Sequence, residues 1–150
     1  MIRRALNKDI DKILILLKEV NLIHAKNRPD IFRVGTKYNS LDLENKILNE
    51  PIFVYVENDE VCGYIFGKII EVDNQLFKKN KIFFIDDFCV DESKRGKNIG
   101  TKLYNYVKEY AKEIKCDKIE LNVWNFNERA YKFYLKCGLK PLEITMEEIL

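Results

Sequence analysis

The stretch from Phe83 to Leu103, FFIDDFCVDESKRGKNIGTKL, concentrates the residues able to do chemistry. Two adjacent carboxylates, Asp86 and Asp87, interrupt an apolar run. On a regular strand neighbouring side chains face opposite ways, so at most one of the two points into a cleft at that strand's end. Beyond them Lys94, Arg95 and Lys97 supply positive charge, and Gly96 and Gly100 let the backbone turn tightly. A helix opening near Asn98 aims unpaired N–H groups back at this loop, which completes the ingredients of an anion site. The same composition also suits a solvated turn. The loop lacks the GxxxxGKS/T of a P-loop and the GxGxxG of a dinucleotide site, so the residues alone indicate a phosphate site of open type.

The remaining residues must position these groups. At 150 residues the chain is one domain's length, able to bury roughly two thirds of its unfolded surface. Apolar residues make up 47% and charged residues 33%, which suits a globular protein rather than a disordered one. A net charge of +2 argues against broad nucleic-acid binding, so any basic site is local. No apolar run approaches the roughly 18 residues that span a membrane, and MIRRALNKD lacks a signal-peptide core. Cys62, Cys89, Cys116 and Cys137 are widely spread and accompanied by a single histidine. They are expected as reduced, mostly buried thiols of a cytoplasmic protein, with no zinc or other metal site.

Ile2 to Ala5 is expected as a first strand. Asn7 offers an N-cap for a helix that carries Ile10, Ile13, Leu14 and Leu17 on one face and runs to about Leu22. His24 to Asn39 has no period and is expected as a mobile connection or lid. Ser40 caps a short helix with Leu41, Ile47 and Leu48 on its apolar side, ended by Pro51. Ile52–Val56 and Val61–Val72 form a hairpin about Asn58-Asp59-Glu60, with Gly63 and Gly67 marking close backbone approach or a bulge. Ile82–Val90, apolar on both faces apart from its aspartates, belongs at the centre of a sheet.

The helix Ile99–Ile114 is expected to bury Ile99, Leu103, Tyr106, Val107, Tyr110 and Ile114. A strand follows over Lys118–Trp124, then a helix over about Glu128–Cys137, with Gly138 placed for a left-handed cap. Leu139–Leu150 reads as one or two short strands interrupted by Pro141. With neither repeats nor a linker, residues 1–150 are expected to form one α/β (α+β) domain, a mixed central sheet flanked by helices.

Two separated motifs resemble one family. Val90–Leu103, VDESKRGKNIGTKL, resembles the acyl-CoA loop of the GNAT N-acetyltransferases, whose core reads Q/R-x-x-G-x-G/A. Arg95, Asn98 and Gly100 stand at its three defining positions. Asn127–Leu139, NERAYKFYLKCGL, is similar to the family's second motif, an Asn followed by Ala, an aromatic-Tyr pair and a Gly-hydrophobic step. With IRRALNKD and the hairpin also in place, the resemblance covers essentially the whole chain. Asn98 departs from the pattern, standing where the family usually has its first motif glycine. Asn tolerates positive φ better than most residues, at a cost of order 1 kcal/mol. Its side chain either crowds a pyrophosphate or adds a hydrogen bond to it.

The resemblance implies a V-shaped splay between the fourth and fifth strands. It also implies direct transfer of an acetyl group from acetyl-CoA to a primary amine in a ternary complex, without a metal. It puts the pantetheine against Phe88, Cys89 and Val90, and the pyrophosphate on Arg95, Gly96, Lys97, Asn98, Ile99, Gly100 and Thr101. Asn127 matches a pantetheine contact and is equally a helix N-cap. Tyr134 matches the general acid for the leaving thiolate and lies on the cofactor. Asp86 matches the catalytic glutamate of spermidine/spermine-acetyltransferase-like members and, being one methylene shorter, would work through a water. Both aspartates stay open as the base and equally as orienting groups for a cationic acceptor. Asp87 and His24 are the acceptor-side candidates, and His24 also suits a surface or helix-end role. Trp124, Phe126 and Tyr131 are expected to pack the cleft wall.

The expected acceptor is a small cationic amine. A catalytically weakened acyl-CoA-binding module and a protein N-terminal or lysine acetyltransferase are the alternatives. A toxin acting on aminoacyl-tRNA would carry a larger basic surface than +2 provides. Neither nucleic acid nor membrane is an expected partner, and a homodimer fits the family.

Overall fold

Alternation along two hairpin strands divides the core in half. β2 (Ile52–Glu57) sends Ile52, Val54 and Val56 to one face of the sheet and Phe53 to the other. β3 (Glu60–Val72) does the same with Tyr64 and Phe66 against Ile65, while a register slip opposite Tyr55/Val56 turns Cys62 to the second face as well. In the computed structural model, which describes residues 1–150, the first face is covered by α1 (Ile10–Asn27) and α2 (Ser40–Asn49). The second is covered by α3 (Ile99–Glu113), whose Ile99, Leu103, Tyr104, Val107 and Ala111 are buried. The strands β2 and β3 meet at Asn58 and Asp59, both at positive φ (51° and 60°), the geometry of a two-residue hairpin turn that matches strand twist.

The sheet runs in the order β1-β2-β3-β4-β5, with β1 (Ile2–Arg4), β4 (Asn80–Val90) and β5 (Lys118–Leu121). Neighbours are antiparallel except β4 and β5, which are parallel and joined by the crossover through α3. β4 pairs with β5 only from Ile82 to Ile85. From Asp86 onward β4 keeps β3 alone, and this parting of the strands is the V-shaped splay. α4 (Glu128–Cys137) follows β5 and ends at Gly138, in the left-handed conformation at φ 101°.

Several expectations are corrected by packing. α1 continues five residues past Leu22 because Ala25 is buried, and it stops where Arg28 must leave the helical region ahead of Pro29. Asn7 is not its cap; it opens a single 3-10 turn, and the Asp9 carboxylate accepts the Leu6 N–H at 2.8 Å. Asn39 rather than Ser40 caps α2, accepting from the Asp42 N–H while Asp42 accepts from Asn39. α2 buries Leu43 with Ile47 beside it, one turn apart, and leaves Leu41 and Leu48 exposed. On α3 the buried tyrosine is Tyr104; Tyr106 lies at the margin, 42% exposed, edge-on to Phe53. β5 ends at Leu121 instead of Trp124, since β4 has already diverged. Leu139–Leu150 forms no strand, because no neighbouring backbone pairs with it.

The two hairpin glycines are set by space. A Cβ on Gly63 would come within 2.9 Å of the Cys89 carbonyl oxygen, and one on Gly67 within 2.2 Å of the Phe83 ring. The ladder between β3 and β4 slips at Phe66/Gly67, so the expected bulge is there too.

Candidate active site

That slip decides how the acidic pair is presented. Phe66 faces Asp87 and Gly67 faces Ile85, which leaves Asp86 as the extra residue of a β-bulge. Ile85 and Phe88 both turn toward the α3 face, so alternation breaks between them. The two carboxylates therefore escape the opposite-face rule of a regular strand. Asp86 accepts a short hydrogen bond from the Tyr38 hydroxyl, and Asp87 accepts one from Tyr64 at 3.0 Å. Lys37 bridges the pair: its Nζ is 3.4 Å from Asp86 Oδ1 and 3.6 Å from Asp87 Oδ2, and it donates to the Asp86 carbonyl at 2.8 Å.

The two acids differ in setting. The Asp86 side chain is 23% exposed and that of Asp87 only 9%. Burial lifts the Asp87 carboxyl above its ordinary range, against the opposing pull of Lys37 and the Tyr64 hydroxyl. Burial also lifts the Tyr38 and Tyr64 phenols, reinforced by the carboxylates they face, so both remain protonated donors. Tyr38 is fixed by stacking on Phe66, with ring centroids 5.8 Å apart.

On the opposite side of β4, α4 brings Tyr134 to the splay. Its ring lies 6.2 Å from that of Phe88, and burial followed by the Asp87 charge raises its phenol well above the ordinary value. The neighbouring Phe133 stacks edge-on to Phe88 at 5.6 Å and closes on Gly100, where an added Cβ would sit 3.2 Å from the ring. Asn127 caps α4, its Oδ1 accepting the Ala130 N–H at 3.2 Å. Cys89 is buried, its thiol pushed up to about 12 by burial and then by Asp87, which leaves it un-ionised. An open groove of about 680 Å³ runs along α4 past Asn127, Arg129, Lys132 and Phe133.

The basic loop is anchored at its start. Asp91 pairs with Lys12 at 2.7 Å and accepts from the Ser93 N–H and hydroxyl, which holds its carboxyl down at about 2. The chain then turns through Gly96 (φ 89°) and Asn98 (φ 58°) into α3. Asn98 thus meets a positive-φ demand, and its side chain makes no capping bond. The N–H groups of Gly96, Lys97, Asn98, Ile99, Gly100 and Thr101 find no acceptor within the chain, and the first turn of α3 carries no acid. Lys97 leans to Glu57 at 3.6 Å and Arg95 to Glu92 at 3.9 Å, both weak, solvent-facing pairs. Such a cradle of free amides and cations fits an anionic phosphate chain.

His24 lies in the last turn of α1, not in a loop. It packs against Phe32 (4.9 Å) and Phe126 (5.7 Å), with Trp124 stacked on Phe126 at 5.9 Å; Tyr131 is exposed. Burial and the nearby Lys37 lower its pKa, which favours neutral imidazole. Lys37, Tyr38, Tyr64 and Lys12 are the residues that sequence reasoning missed. The first two sit in an aperiodic segment, and only the bulge brings the acids to them.

The chain matches the family model described as acetyltransferase (GNAT) over residues 19–139. The spermine/spermidine N(1)-acetyltransferase of Bacillus subtilis is 29% identical over 119 residues, 79% of this chain and 77% of that protein. The aminoalkylphosphonate N-acetyltransferase of Salmonella typhimurium is 29% identical over 141 residues, 93% of this chain and 84% of that protein. A mutant of the BH1408 protein from Bacillus halodurans superposes with a TM-score of 0.97 at 30% identity, covering 100% of this chain and 99% of its own.

Proposed function

This chain belongs to the acetyltransferase (GNAT) family, and from that premise we propose that it moves an acetyl group from acetyl-CoA to the primary amine of a small cationic acceptor. The observation that carries this reading is the β4 bulge, which gathers Asp86 and Asp87 at the open end of the splay on the other side of the strand from Tyr134. The Lys37 ammonium held by both acids exemplifies what that end of the cleft binds, an alkylammonium group. The relatedness to a spermine/spermidine acetyltransferase supports a polyamine-like acceptor.

The free amides from Gly96 to Thr101 receive the pyrophosphate of CoA, and the α4 groove with Arg129 and Lys132 takes its nucleotide end. The pantetheine runs along Phe88–Val90 and past Asn127. Acetyl-CoA supplies an activated thioester. The deprotonated amine nitrogen forms the new C–N bond as the C–S bond breaks, the thiolate leaves with a proton from Tyr134, and the second proton shed by the acylated nitrogen returns through water to the Tyr134 phenolate. Asp86, the more exposed acid, takes the proton of the incoming ammonium through a water, while Asp87 orients the amine.

The test is thiol release from acetyl-CoA with a panel of polyamines, amino sugars, aminoalkylphosphonates, lysine analogues and peptide N-termini. Release with a polyamine at the highest kcat/KM supports the reading. CoA binding by calorimetry without release for any amine replaces it with a binding module. No helix is long and apolar enough to cross a membrane. The four cysteines are free, which supports a cytoplasmic location.

A further inference from the structure

One amine of this chain already stands where the acceptor amine is proposed to bind. Lys37 Nζ lies 3.4 Å from Asp86 Oδ1 and 3.6 Å from Asp87 Oδ2, and no other cation pairs with either acid. Lys46 is a second amine of this region. It lies over the Tyr38 ring at 4.4 Å, but its ammonium pairs with Glu50 at 3.1 Å and touches neither aspartate.

The segment that carries Lys37 is tethered on both sides of it. The Gly35 N–H donates to Asn21 Oδ1 at 2.7 Å, and the Asn21 amide donates to the Arg33 carbonyl at 2.9 Å. On the other side, Tyr38 is held by Asp86 and by its stacking on Phe66. Residues 33–38 make no backbone–backbone hydrogen bond. The tethers therefore aim Lys37 at the acids, while the backbone between them is free to advance the ammonium.

We propose that Lys37 is a self-acetylation site: its Nζ takes the acetyl group of acetyl-CoA in cis, and the neutral amide formed opens the acidic locus to polycationic acceptors. The inference rests on the transfer chemistry proposed above. Lys37 Nζ gives one proton to Asp86, which passes it to solvent, and forms the C–N bond as the C–S bond breaks. The leaving thiolate takes a proton from Tyr134, and the phenolate regains one from the acylated nitrogen through water. The sum is one acetyl-lysine, one CoA thiol and one released proton. An acetylated side chain has no charge to hold it between two carboxylates, and it swings to solvent from a position already 43% exposed. Both acids are then free for an incoming polycation. An unassisted reaction has no reason to prefer Lys37 over other exposed amines such as Lys8 and Lys136.

The test incubates the full chain with acetyl-CoA and no added amine, followed by intact-mass and peptide-mapping mass spectrometry. Thiol release onto the amine panel is measured in parallel. Lys37 is expected to gain one acetyl group at least about tenfold faster than Lys8 or Lys136, as an intramolecular reaction should. The rate is expected to be independent of protein concentration and to be slowed by a triamine. Should the purified chain arrive acetylated at Lys37, the Tyr134→Phe chain made in the same way is expected to lack the group. After incubation, KM for a triamine should fall by about five- to tenfold in the native chain. It should not respond in Lys37→Arg, which keeps the cation and takes no acetyl group. Thiol release onto an added amine, with Lys37 acetylated no faster than Lys8 and Lys136, overturns the proposal and leaves the transfer reading intact. A rate that scales with protein concentration, acetyl-Lys37 persisting in Tyr134→Phe, or acetylation without a change in KM overturns it too. If neither Lys37 nor any added amine is acetylated, the transfer reading fails and this inference with it.

Discussion

Asp86 and Asp87 are neighbours on β4, yet both carboxylates face one ammonium, that of Lys37, at 3.4 and 3.6 Å. The bulge at Asp86 makes this possible, and it converts two acids on opposite faces into one doubly anionic locus. Lys37 cancels one of those charges from a side chain that is itself 43% exposed. Removing it with Lys37→Met is expected to lower KM for a polycationic amine by about five- to tenfold, an effect on the order of 1 kcal/mol typical of a partly exposed charge pair. A monoamine should gain less, and kcat should change little. Steady-state thiol release with a triamine and a monoamine checks this; a raised KM for the triamine would mean that Lys37 helps to hold the acceptor.

The base is separated from the orienting acid by pH. Asp86→Asn is expected to flatten the rise of kcat/KM with pH, whereas Asp87→Asn raises KM and leaves the rise in place. The opposite pattern exchanges the two roles.

Asp87 also carries a stability signature. Its carboxyl is raised above the ordinary value of 3.8 by burial, so the folded state holds that proton more tightly than the unfolded chain. The contribution is fully present below pH 3.8 and is lost as pH rises through the folded value. Asp87→Asn keeps an acceptor for the Tyr64 hydroxyl and removes the buried charge. The variant is expected to be more stable than the native chain by about 1 kcal/mol at pH 8, with the gain vanishing near pH 4. Urea unfolding at the two pH values measures it, and an equal difference at both would show that charge is not the cause.

Local signals carried most of the architecture. The hairpin turn and the positive φ at Asn98 each follow from residue type and near neighbours, and the sequence shows both. What it hides depends on register. The expectation that Asp86 and Asp87 diverge assumed a regular strand, and a one-residue bulge opposite Phe66 reverses it. Lys37 and Tyr38 then become part of the site across 49 and 48 residues of sequence, a separation that no periodicity encodes. Leu139–Leu150 has the pattern of a strand but lacks a partner in its own chain, so pattern alone predicted pairing that the fold does not supply.

Tyr134 is the group whose loss should be felt in kcat. With its phenol raised above the ordinary value of 10 by burial and by Asp87, it stays protonated and able to donate through the neutral and mildly alkaline range. Tyr134→Phe is expected to lower kcat by about 10²- to 10⁴-fold while KM for acetyl-CoA stays within a few-fold. Because the folded value lies above 10, the native enzyme should show no loss of kcat from this group up to that pH. An alkaline limb below pH 9 that disappears in the Phe variant would contradict the assignment of the raised phenol.

Asn98 tests whether the departure from the family's glycine weakens the loop. Its φ of 58° and ψ of 25° lie in the left-handed region, and its side chain makes no capping bond, so backbone conformation is what the position demands. Gly adopts that conformation freely but adds unfolded-state entropy, so Asn98→Gly should change stability by no more than about 1 kcal/mol. CoA affinity by calorimetry should stay within about threefold, since the proposed phosphate contacts come from the free amides of Gly96 to Thr101 and not from the Asn98 side chain. Asn98→Val demands the same φ from a β-branched residue and should cost about 1–2 kcal/mol or more. It should also weaken CoA binding at least tenfold, because the loop can relax only by turning its amides away. A tenfold gain in affinity for the Gly variant would instead assign the Asn98 side chain a place in the path of the pyrophosphate.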